Sequence, residues 1–141
     1  MCIRDRENKL KTFIDPIIQK NIRVSLFVSP DISQIEAASR VGANIIELNT
    51  GTFCDLLIEN NKKEYLEEFE KLKEASVYGK KLGLEIHGGH GLTFESVKYI
   101  ASIPEIRELN IGHFLISQAV FDGIEKTINT MRLEIDNSQK K

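Results

Sequence analysis

Only two cysteines, Cys2 and Cys54, occur in these 141 residues. They lie far apart and have no partners at metal-ligand spacing, which excludes a disulfide framework and a thiolate zinc cage and reads as free thiols in a reducing compartment. There is no excess of basic charge either: nineteen Lys and Arg against twenty-one Asp and Glu give a formal net charge of -2. A phosphate-backbone binder needs a basic footprint, so nucleic acid is excluded as the expected partner. No apolar run approaches the roughly 20 residues of a membrane span, and "MCIRDRENKL" lacks the apolar core of a signal peptide. The expectation is a cytosolic protein without a membrane partner.

What is present is globular: 41% hydrophobic and 28% charged residues, in a length that suits a single domain over 1–141. Leu10, Phe13, Ile14, Ile17 and Ile18 recur at helical spacing within "ENKLKTFIDPIIQK", although Pro16 removes a donor there. "IRVSLFVS" reads as a strand, followed by a helix "SQIEAASRV" with Ser33 and Glu36 as its capping box and Gly42 as its stop. "ANIIELNTG" is a second strand, then a loop and a charged helix from about Lys63 to Lys81 that Gly83 terminates. "GLEIH" is a third strand, with Thr93 capping "FESVKYIASI" and Pro104 closing it. "IRELNIGH" is the fourth, before one long helix "FLISQAVFDGIEKTINTMRLEI" and a frayed polar tail at 136–141.

One helix followed by four βα units means a parallel sheet. The strand faces select the kind. Val24, Leu26 and Val28 alternate with Arg23, Ser25 and Phe27, and Ile46 and Leu48 alternate with Glu47 and Asn49. Leu84 and Ile86 alternate with Glu85 and His87, and Leu109 and Ile111 with Glu108 and Asn110. Central strands of doubly wound sheets are apolar on both faces. One apolar and one polar row suits barrel strands, whose polar row points toward a site at the C-terminal mouth. A complete (β/α)₈ TIM barrel takes about 250 residues, so four units are half a barrel by count.

All three histidines, His87, His90 and His113, fall at or just past strand C-termini, the face where βα folds bind ligands. A three-histidine zinc site is one reading. Against it, His87 and His90 have neither i, i+4 helical nor i, i+2 strand spacing, and no supporting acidic cluster is evident, so no metal is expected. Glu47 is flanked by the apolar-face residues Ile46 and Leu48 and points inward, where an unpaired charge is costly. Either it makes an internal salt bridge, with Arg23 as the candidate, or it steadies positive charge and orients a histidine. "GGHGLT" and "NIGH" place glycines beside two helix starts, which bind anions through free N–H groups and the helix dipole.

From about residue 9 to about residue 133, "IRVSLFVSPDISQIEAASRVGANIIELNTG" and "LGLEIHGGHGLTFESVKYIASIPEIRELNIGHFLISQAVFDGIEK" resemble the C-terminal part of the pyridoxine 5′-phosphate synthase family. The resemblance implies a TIM barrel that condenses 3-amino-2-oxopropyl phosphate with 1-deoxy-D-xylulose 5-phosphate, releasing phosphate and water, with no metal or organic cofactor. It implies that His90 is a proton donor and Glu47 a stabiliser of the transition state. Gly91, Gly112 and His113 then bind the aminoketone phosphate. It also implies a homo-oligomer, an octamer.

The family usually has "IELHTG" and "VNAGHG" where this chain has Asn49 and His87-Gly88, and its N-terminal catalytic and substrate-binding residues have no counterpart here. "MCIRDR" matches nothing in the family, so residues 1–6 are expected to be non-native or disordered and the chain a fragment with little or no turnover. The alternative is a stand-alone phosphate-ligand binding module, closed by dimerisation of two half barrels.

Overall fold

The computed structural model describes residues 3–140; the expectation for the Cys2 thiol lies outside them. Helix α1 (Glu7–Ile18) follows a single 3₁₀ turn at Arg4–Arg6, and Ile3 before it is buried at 4% exposure. Of the apolar stripe on α1, Ile14 is buried, whereas Phe13 points to solvent. The helix runs through Pro16, whose missing donor falls in the last turn, and ends two residues later. Arg40 grips both carboxylate oxygens of Glu7, at 3.0 and 2.7 Å, and ties α1 to α2 (Ile32–Arg40).

Four strands, β1 (Ser25–Val28), β2 (Ile45–Asn49), β3 (Glu85–Gly89) and β4 (Ile106–Asn110), form one sheet in the order β1-β2-β3-β4. Every pairing is parallel, with Phe27 beside Glu47 and Glu47 beside His87. The register shifts once, between Ile86 and His87 on the β3–β4 side. The apolar row of each central strand is sealed: Ile46 and Leu48 have no exposed surface and Ile86 has 1%. They join one core cluster with Ile35 of α2 and with Leu72 of α4 (Lys62–Lys81). Ile100 of α5 (Val97–Ile100) completes that cluster. This is the architecture of part of a (β/α)₈ barrel.

Four local expectations are corrected. The cap of α2 is Asp31, whose carboxylate accepts from the N–H of Ser33 at 2.7 Å, because the helix starts two residues earlier than a Ser33 cap allows. The stretch after β2 is a helix, α3 (Gly51–Ile58), where the sequence suggests a loop. It is held by Phe53, which packs edge-on against Tyr65 of α4 and Tyr99 of α5. The last helix is two, α6 (His113–Asp122) and α7 (Ile124–Gln139), because Gly123 takes φ +81° between them. Finally, α7 carries helical structure through the tail to Gln139.

The elements are not equally anchored. No residue of α6 is buried, and Ile116, Val120 and Phe121 are 66%, 79% and 85% exposed. Helix α7 buries Thr127 and Met131, and Gly42 and Gly83 end α2 and α4 in the left-handed conformation. Among the described residues, no helix is long and apolar enough to cross a membrane.

Candidate functional site

The polar row of the sheet is stacked in two layers. In the lower one, Glu85 Oε1 lies 2.8 Å from a guanidinium nitrogen of Arg23 and 2.8 Å from His87 Nε2. His87 Nδ1 faces Glu108 at 3.6 Å, so both ring nitrogens of a residue only 5% exposed look at carboxylates. The His87 bond first, and Arg23 second, hold the Glu85 carboxyl below the usual glutamate range. His87 therefore sits within β3, a layer beneath the mouth, and does not line the cleft described next.

The upper layer is Glu47 and Asn110. Asn110 Nδ2 donates to Glu47 Oε2 at 2.6 Å across the sheet. The internal salt bridge to Arg23 is thus not made: Arg23 is engaged one layer down by Glu85, and Glu47 has an amide partner instead. The carboxylate occupies the space over Gly89, where a Cβ would collide with Glu47 Oε1. That is one reason for the second glycine of "GGHG"; the Cβ of the first would press on Ile100 at 3.2 Å, on the sheet's apolar side.

Beyond β3 the chain turns sharply. His90 has φ +77° and Gly91 φ +82°. A left-handed conformation is uncommon for a non-glycine residue and marks a position worth examining. Here the ring of His90 meets Phe27 edge-on, with centroids 6.0 Å apart, and overlies Gly51. Downstream, Thr93 and Ser96 cap each other: Ser96 Oγ accepts the Thr93 N–H at 2.8 Å and Thr93 Oγ1 accepts the Ser96 N–H at 3.3 Å. The expected Thr93 cap is thus shifted: Thr93 pairs with Ser96 in the turn before the helix, while regular helix is confined to Val97–Ile100 and its N-cap is Ser96.

His90, Gly91, Glu47, Gly112 and His113 line one cleft of about 820 Å³, together with Phe27, Asn110 and Ser117 among others. His113 is the first residue of α6 and Gly112 its N-cap, so the first turn of a ten-residue helix opens on this cleft. A helix start offers unpaired N–H groups and a partial positive charge. The cleft therefore combines an anion cradle, an imidazole and a carboxylate. Cys54 lies behind it, buried, with its thiol pushed up chiefly by desolvation. Among the described residues, no group of three or more His, Cys, Asp or Glu side chains is arranged to hold a metal ion.

Three contributors were not singled out in the sequence. Phe27 stood in the polar row of its strand, an anomaly that marks a lining residue. Asn110 lies 63 positions from Glu47, and only the β3–β4 register shift brings it across. Thr50, buried behind His90, carried no signal beyond its place at a strand end.

Comparison with known proteins places the chain in a family. A family model described as pyridoxal phosphate biosynthesis protein PdxJ matches residues 1–137. Among curated proteins, the chain is 46% identical to the pyridoxine 5′-phosphate synthase of Ruegeria pomeroyi over 133 residues, 94% of this chain and 54% of the relative. It is 42% identical to that of Cereibacter sphaeroides over 94% of the chain and 52% of the relative. For Roseobacter denitrificans the figures are 45%, 92% and 52%. The chain thus spans about half the length of the curated relatives it matches.

Proposed function

Because the chain belongs to the PdxJ family of pyridoxal phosphate biosynthesis proteins, we propose that its cleft is the phosphate-binding and proton-donating part of a pyridoxine 5′-phosphate synthase active site. The reaction proposed is condensation of 3-amino-2-oxopropyl phosphate with 1-deoxy-D-xylulose 5-phosphate, releasing phosphate and water. One observation carries this reading. Residues from β2, the β3–α5 turn and the β4–α6 turn converge on a single cleft at the C-terminal ends of the strands.

Each group has a chemical task there. Dehydration and phosphate loss need protons delivered to poor leaving groups, and an imidazole titrates in the useful range. His90, exposed at the mouth, is the proton donor. Glu47, its carboxylate oriented by Asn110, faces positive charge that develops on the substrate as an imine forms. Gly91, Gly112 and His113 hold the aminoketone phosphate against the start of α6, and a fixed phosphate places the reacting carbonyl.

The relatives are about twice as long, so the remaining groups of the proposed active site belong to the part of them that this chain does not span. The chain alone should show little or no turnover. Mixing it with the N-terminal half of a relative should restore product, and His90→Ala should then lower the restored rate by roughly a hundredfold or more. Robust synthesis by the unmixed chain, or a restored rate indifferent to His90→Ala, overturns the assignment. The unpaired β1 and β4 edges support a second reading, a phosphate-binding dimer of half barrels. Phosphate binding in a stable dimer, unchanged by the added half and without turnover, selects it.

A further inference from the structure

Thr50 stands between β2 and α3 and is polar yet wholly buried, at 0% exposure. A buried hydroxyl is costly unless it is hydrogen-bonded, and this one spans two successive carbonyls of another element. Thr50 Oγ1 lies 2.6 Å from the carbonyl of His90 and 2.9 Å from that of Gly89. The Thr50 N–H donates to the same Gly89 carbonyl at 2.9 Å, which leaves the hydroxyl proton for His90.

The segment so gripped is the one with the unusual backbone, His90 at φ +77° followed by Gly91 at φ +82°. Such a conformation persists in a histidine only where its surroundings over-determine it. Those surroundings come from one corner. Asn49 Oδ1 accepts the Gly51 N–H at 2.8 Å and fixes the turn that carries Thr50. Gly51 leaves room for the imidazole, since a Cβ there would lie 2.6 Å from His90 Cδ2. Phe27 closes the other side of the ring.

We propose that Thr50 is the positioning residue for His90: its buried hydroxyl locks the left-handed turn that presents the imidazole to the cleft, without itself lining it. The inference takes from the proposed function only the idea that the presented imidazole matters. The lock is a property of the free protein and is testable without turnover.

The test uses the full chain labelled for NMR, with Thr50→Val, Thr50→Ala and Thr50→Ser. Two local signatures are followed: the intraresidue amide–α-proton NOE of His90, strong at positive φ, and the chemical shifts of its ring. The His87 ring, buried a layer below, reports whether the fold is intact. Inorganic phosphate is then titrated into each variant. Thr50→Val and Thr50→Ala should abolish the strong NOE and move the His90 ring signals while those of His87 stay in place. Phosphate affinity should fall by about tenfold, as the loss of one hydrogen bond in a fixed turn implies. Thr50→Ser should restore all three.

Parent-like His90 signals in the valine or alanine variant, or no rescue by serine, overturn the proposal. So does failure of both to fold, which makes the hydroxyl a purely structural bond. Absence of phosphate binding to the parent chain would count against the functional reading alone, because the His90 signals still decide the role of Thr50.

Discussion

Two cationic or donor groups converge on one oxygen of Glu85, and that convergence gives the molecule a titratable point of stability. Its carboxyl is held below the ordinary glutamate range by His87 and then Arg23. A depressed folded value means the contribution is complete above the unfolded value and is lost as pH falls through the folded one. Glu85→Gln should therefore lower the melting temperature at neutral pH, and the two melting curves should converge in acid. Thermal melts across that range check it; a gap that stays constant contradicts it. The effect is small, because the Glu85 side chain is 39% exposed and Arg23 57%. At this scale the residues that line the cleft were legible in the sequence, since His90, Gly91, Gly112 and His113 sit in short blocks at strand ends. The partner of Glu47 was not. Arg23 was the natural guess for an inward carboxylate, and only the layering of the sheet shows that Glu85 takes it first.

Among the elements, α2 shows how a cap is won. Asp31 accepts from the N–H groups of Ser33 and Gln34 at 2.7 and 3.4 Å, whereas Ser33 lies inside the first turn. Asp31→Ala should cost roughly 0.5–2 kcal/mol in denaturant unfolding, the usual worth of an N-cap, and Ser33→Ala far less. Equal losses would show that the two share the role. The strands were legible because one face is polar and the other apolar, a period of two that survives in short segments. Helix α3 was not, because "GTFCDLLI" opens on a glycine and is too short for helical periodicity to show; it is fixed by Phe53 in an aromatic cluster with α4 and α5. The break between α6 and α7 was hidden for the opposite reason. Apolar residues continue across Gly123, so the pattern looked unbroken although the backbone reverses its φ there.

At the scale of the whole fold, the described residues form a four-stranded sheet with no strand paired to the outer side of β1 or β4, and the helix α6 buries none of its residues. Edges and apolar faces of this kind invite association. The chain should self-associate as its concentration rises, and light scattering coupled to size exclusion reads this directly. A monodisperse monomer with a cooperative melt would contradict it. The strand order has a separate consequence. Each strand pairs with its neighbour in sequence: Ser25 meets Ile45, Ile45 meets Glu85 and Ile86 meets Ile106. Among the described strands these pairings join positions 20, 40 and 20 residues apart, and the entropy of closure grows only slowly over such separations. On a ribosome, β2, β3 and β4 each emerge after the strand they pair with, so this sheet grows in the order in which it is synthesised.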